Sequence, residues 1–158
     1  MGYEIKMLVG KQCLNGKELV LNKEKPFSDG SGFPYKRDGK GNYVETGRAE
    51  AWFQIYAEID LCKWGYQKDA FNDLVTKSHD EKRAKKEVIY FYGTDGNTRI
   101  TEDCYGAQMF PVPIKDALKA LKASEDKSAP YRRATWAIAL LESMVGDPEE
   151  LGVMFYGH

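Results

Sequence analysis

Histidine is scarce in this chain of 158 residues: only His79 and His158 are available for the base and ligand work imidazole most often does. His79 sits beside Asp80 and Glu81 and reads as a surface residue, and His158 ends the sequence. A histidine-centred catalytic site and a metal site are therefore not expected. Cysteine is also sparse, with Cys13, Cys62 and Cys104 standing more than ten residues apart. Structural zinc needs paired short spacings such as C-x-x-C, and a disulfide framework favours an even number, so a reducing, cytoplasmic setting fits best. Cys104 follows Glu102 and Asp103, whose negative charge would disfavour a reactive thiolate, and it reads as a half-buried structural thiol.

No excess charge of either sign is present. Lys and Arg number 23 against 24 Asp and Glu, a net charge of −1, so attraction to nucleic acid or to an anionic membrane would have to come from a local patch. No run approaches the roughly 18 apolar residues of a membrane span, and Met1 to Lys6 does not resemble an export signal. The phosphate-loop pattern fails at Gly10 to Lys17. Five residues separate Gly10 from Gly16 where the motif allows four, and Glu18 replaces the hydroxyl that would hold magnesium. The dinucleotide glycine pattern and the calcium-loop oxygen spacing are absent as well. No cofactor is expected.

What remains is a chain with 42% hydrophobic and 13% aromatic residues, enough to close one core at a length typical of a single domain. Tyr3, Ile5, Met7 and Val9 alternate with mostly polar residues, the signature of a strand, and Asn15-Gly16 suggests a hairpin turn returning through Leu19-Val20-Leu21. Residues 22–47 are rich in Gly, Lys and Pro, and read as a long loop whose aromatic residues dock on the domain. Every odd position from Ala49 to Leu61 is apolar, which predicts a long strand with one oily face. On the even face, Trp52, Tyr56, Glu58 and Asp60 are then expected to share one accessible surface.

Gly65 would end that strand, and Tyr66, Ala70, Phe71, Leu74 and Val75 predict a helix. Val88 to Tyr92 and Thr98 to Thr101 predict a second hairpin about a Gly/Asp turn. After Pro113, Ile114, Ala117, Leu118 and Leu121 form an amphipathic stripe, and Ser128 with Pro130 would start another helix carrying Tyr131, Ala134, Thr135, Ile138, Leu141 and Val145 on one side. Val153 to Tyr156 reads as a final edge strand.

The expected fold is a single α+β domain over residues 1–158: an antiparallel sheet of about four to six strands, with two C-terminal helices packed on one face. The expected function is a non-catalytic binding or regulatory protein, of the kind a virus or mobile element uses as an inhibitor, acting through a protein–protein surface. A homodimer through the aromatic strand face and the Val153–Tyr156 edge is a further expectation. The alternatives are a nucleic-acid-binding module using Lys115, Lys119, Lys122, Arg132 and Arg133, and a small enzyme built on the carboxylate pair Glu58 and Asp60.

Overall fold

The computed structural model describes residues 2–13, 35–37, 40, 43–45, 49–93, 99–147, 149 and 151–158. The Asn15-Gly16 turn, its return strand and most of the 22–47 loop lie outside the described residues. The strands are β1 (Ile5–Cys13), β2 (Tyr35–Arg37), β3 (Tyr43–Glu45), β4 (Ala49–Asp60), β5 (Glu87–Tyr92), β6 (Arg99–Ile100), β7 (Val112–Pro113) and β8 (Leu151–Gly157). The helices are α1 (Cys62–Gln67), α2 (Asp69–Ser78), α3 (Glu81–Ala84), α4 (Ile114–Ser124) and α5 (Arg132–Met144).

Six strands form one sheet in the order β6-β5-β4-β1-β8-β7, while β2 and β3 pair separately. The fold is α+β, but the sheet is mixed rather than antiparallel, because β4 and β5 run parallel from Ala49↔Glu87 to Trp52↔Tyr90. The cause lies between them: α1, α2 and α3 form the crossover that a parallel pair requires. The expected pairing of β5 with β6 holds, with Phe91 opposite Ile100. The last strand is not an edge. β8 pairs with β1 along its whole length and with β7 at Gly152 and Val153, while farther along the β7 side the Phe155 carbonyl is taken by His79, so only part of Val153–Tyr156 lacks a strand neighbour.

Both faces of the sheet are apolar. One cluster joins Ile5, Met7, Val9, Val153 and Phe155 to Phe71 and Val75 of α2, Ile114, Ala117 and Leu121 of α4, and Ala137 and Leu141 of α5. The other joins Leu8, Met154, Ala51, Phe53, Ile89 and Phe91 to Met109 and Phe110 of the segment before β7. Arg83 lies over the Phe110 ring at 4.6 Å, its Nε held 2.7 Å from Glu87, so a guanidinium shields the apolar ring from water. A single solvated face, as the alternation on β4 suggests, is therefore not what these strands build.

A β-bulge reconciles the alternation with two cores. Val9 pairs with Ala57, but Gly10 pairs with Ile55, leaving Tyr56 as an extra residue on β4. Since side chains alternate, the extra residue turns the rest of the strand over. Ile59 packs in the first cluster with Met7, whereas Ala51, Phe53 and Ile55 pack in the second with Leu8. Odd positions stay apolar throughout because they feed first one core and then the other. Gly10 makes the bulge sterically feasible: a Cβ there would lie 1.9 Å from the Gln54 carbonyl oxygen.

Three local expectations are corrected. Gly65 lies inside α1, buried, where a Cβ would come within 3.1 Å of Ile5 Cβ, so its bareness lets that helix seat against β1. Ser128 does not cap α5: its amide and hydroxyl bond Asp126 Oδ1 at 3.0 and 2.7 Å, and the helix starts after Tyr131. On α5 the buried positions are Ala134, Ala137 and Leu141, while Thr135, and Val145 just past the helix end, are exposed.

Asp103 is the buried carboxylate that fixes the segment after β6. Its Oδ1 accepts the Tyr105 and Ala107 amides at 2.9 and 3.0 Å, and its Oδ2 accepts the Gly157 amide of β8 at 3.2 Å. An amide side chain offers one acceptor where the carboxylate offers two, and would turn an NH₂ group on at least one of these donors. Asp103→Asn is expected to cost about 2 kcal/mol of stability through a buried unpaired donor. A denaturant midpoint equal to that of the wild type would show that these bonds contribute little.

Candidate functional site

Glu4, Asp60 and His158 come together at one end of the sheet, although two of them stand near opposite ends of the sequence. Glu4 and His158 exchange both backbone hydrogen bonds at 2.9 Å, extending the β1–β8 ladder by one pair. On the other side of β1, Leu61 donates its amide to Ile5 at 2.8 Å, which fixes Asp60 beside Lys6. The imidazole Nε2 of His158 then lies 3.0 Å from Asp60 Oδ2, and Nδ1 lies 3.8 Å from Glu4 Oε2. Each of the three side chains is between a quarter and a third exposed. Nε2 itself is buried, and the Asp60 oxygen sits off the line a hydrogen bond needs, so the contact is close without being directional.

The turn after β4 holds Asp60 in place. Cys62 has φ 52°, a left-handed conformation that a side chain seldom adopts, and its amide donates to Asp60 Oδ1 at 2.7 Å. Arg133 Nη1 donates to the Asp60 carbonyl at 3.0 Å, and Tyr131 stacks on Trp64 at 5.6 Å and 11°. Burial pushes the Asp60 carboxyl up, but the Cys62 amide and then His158 outweigh it and leave its pKa below the ordinary carboxylate value. Asp60 is thus ionised at neutral pH.

Tyr156 closes the other flank. Its ring stacks near His158 at 6.4 Å and 29°, and its hydroxyl lies 3.1 Å from the Cys104 sulfur. Burial, then the Cys104 contact and the negative charge of Asp103 push its pKa up to about 12. At neutral pH this phenol can donate a hydrogen bond but cannot serve as a base. Cys104 is exposed rather than half-buried.

The residues expected to share a surface are divided by the bulge. Glu58 and Asp60 follow it and lie on the face of Leu8, whereas Trp52 precedes it and points to the opposite face, its ring 5.6 Å from that of Tyr92. Tyr56 is the bulged residue itself, 45% exposed, and its hydroxyl donates to Glu149 at 3.2 Å. Of the four, only Asp60 joins the Glu4 and His158 cluster. Glu58 is exposed nearby on the same face.

The basic residues are all at the surface. Lys115, Lys119 and Lys122 are exposed on α4, and Arg132 and Arg133 are exposed on α5. Lys122 pairs with Glu142 of α5 at 2.9 Å, so part of the positive row is already answered by the neighbouring helix. Two residues escaped the sequence reading. Trp136 stands 54% exposed on α5, and His79 is not a loose surface group but bonds the Phe155 carbonyl through Nε2 at 2.8 Å. The indole sits one turn after Arg132 and Arg133, a spacing visible in the sequence once the buried stripe of α5 is known.

Among the described residues no helix is long and apolar enough to cross a membrane. Comparison with known protein families, curated proteins and solved structures finds nothing that matches the chain.

Proposed function

We propose that this chain is a non-catalytic binding or regulatory protein that works in the cytoplasm by occupying a surface of a partner protein. The observation that carries the reading is Trp136, whose indole is 54% exposed on α5 beside the exposed Arg132 and Arg133. Trp and Arg are the side chains that most often anchor protein interfaces, because each buries a large area with few rotatable bonds lost or pairs several acceptors at once. Packing of the two C-terminal helices side by side over one sheet face would present this anchor on a rigid support. The acidic residues of the same helices, Asp116 and Glu142, with Glu125 just past the first, temper the positive charge and favour a protein over a polyanion.

Affinity capture from the native host identifies the partner, and titration of the purified pair then tests the anchor. Trp136→Ala is expected to weaken binding about thirtyfold, the loss of an interface hot spot of about 2 kcal/mol. The melting temperature should stay within about 2 °C, because the ring packs largely against water. Unchanged affinity would remove Trp136 from the interface.

The nucleic-acid reading rests on the exposed Lys115, Lys119, Lys122, Arg132 and Arg133. It requires binding of mixed-sequence DNA or RNA that falls steeply as salt rises. No binding at low salt removes it.

A further inference from the structure

We propose that Glu4, Asp60 and His158 form a binding site for one divalent transition-metal ion of the zinc class, which adjoins the α5 surface where Arg133 bonds the Asp60 carbonyl but uses none of that surface's side chains as ligands. One donor atom from each of the three lies within 4.8 Å of the other two. One imidazole nitrogen with two carboxylates is a donor set suited to zinc, and also to manganese or iron(II). Two carboxylates alone would be unremarkable at a protein surface. The nitrogen is what points to an ion.

His158 Nε2 is buried and has no hydrogen-bond partner among the described residues, although Asp60 Oδ2 is only 3.0 Å away. A hydrogen bond would draw that oxygen onto the axis of the ring nitrogen. Two ligands of one ion behave differently. Each stands about 2.1 Å from the metal, so neighbours stand about 3.4 Å apart at a tetrahedral angle and about 3 Å apart at an octahedral right angle, and each lies well off the other's bonding axis. At 3.0 Å the observed pair is at the short end of that range, and its misalignment is that of two ligands sharing an ion.

The surroundings orient these ligands. The Cys62 amide occupies Asp60 Oδ1 and leaves Oδ2 as the available donor, the arrangement that outer hydrogen bonds impose on metal carboxylates. Glu4 is tied to His158 by the paired backbone bonds, and its carboxylate, which stands 3.8 Å from the other ring nitrogen, Nδ1, would swing toward Nε2 to join. With three protein donors, the remaining positions fall to water. An ion held there would fasten His158 to β4 across β1.

The test uses the untagged chain of 158 residues, stripped with a chelator and titrated with zinc chloride by calorimetry. One ion per chain is expected, with a dissociation constant of about 1 µM or tighter. Asp60→Asn and His158→Gln should each weaken binding at least about tenfold, while Cys104→Ser should bind like the wild type. Because the chain has two histidines, proton NMR gives a second readout that needs no variant. Zinc should shift the ring protons of His158 and leave those of His79, which is occupied by the Phe155 carbonyl, in place. No saturable binding up to about 1 mM zinc, equal binding in Asp60→Asn, loss of binding in Cys104→Ser, or shifts at His79 alone would overturn the proposal.

Discussion

Replacing Gly10 with alanine should destabilise the protein by about 3 kcal/mol or more, a large effect for one methyl group. The new Cβ would lie 1.9 Å from the oxygen and 2.8 Å from the carbon of the Gln54 carbonyl, and 3.0 Å from the Phe53 ring. The carbonyl is backbone and cannot rotate away. Relief requires β1 and β4 to separate where the bulge is formed, at a point where both sheet faces are packed. For a chain of 158 residues a loss of that size lowers the melting temperature by roughly 6–12 °C. Thermal unfolding followed by circular dichroism measures it, and a fall of less than about 2 °C would mean that the strands do not approach so closely.

Phe155→Ala should cost about 3–5 kcal/mol for a different reason. The ring is fully buried at the centre of the cluster beneath α2, α4 and α5, and it meets the Phe71 ring in a T-shaped contact at 5.2 Å and 85°. Truncation leaves a cavity that rigid neighbours on β1 and β8 cannot fill. The backbone carbonyl of Phe155 still accepts from His79, so that bond survives the change. Denaturant titration should show a lower midpoint with the slope retained, and a loss below about 1 kcal/mol would place Phe155 outside the core.

The sequence carried the elements more clearly than their arrangement, and β4 shows why. Its odd positions are apolar from end to end, which a single buried face explains and which two successive buried faces explain equally well. An inserted residue changes which core each side chain meets but leaves the period of two intact, so the bulge is silent in the pattern. Trp52 and Asp60 are thereby separated onto opposite faces. For β8 the run of β-branched and aromatic residues predicts a strand, yet its interior place depends on pairing with β1 and β7, which no local signal encodes. The parallel β4–β5 pair had a readable cue in the helices between them. Strand periodicity alone points to Asp60. Glu4 and His158 were invisible for the same reason that makes them neighbours: only the register of β1 against β8 joins the two ends of the chain.

Cross-linking across β1 and β4 tests the face switch most directly, in a background with the three native cysteines changed to serine. Lys11 lies opposite Gln54 in the bulged register, within reach of a disulfide. The pair Lys11→Cys with Gln54→Cys should oxidise readily, while Lys11→Cys with Ile55→Cys should stay reduced, because Ile55 packs on the other face. The reverse outcome, with position 55 linking to position 11 and position 54 failing to, would restore a regular strand, put Trp52 back on the side of Asp60, and contradict the account.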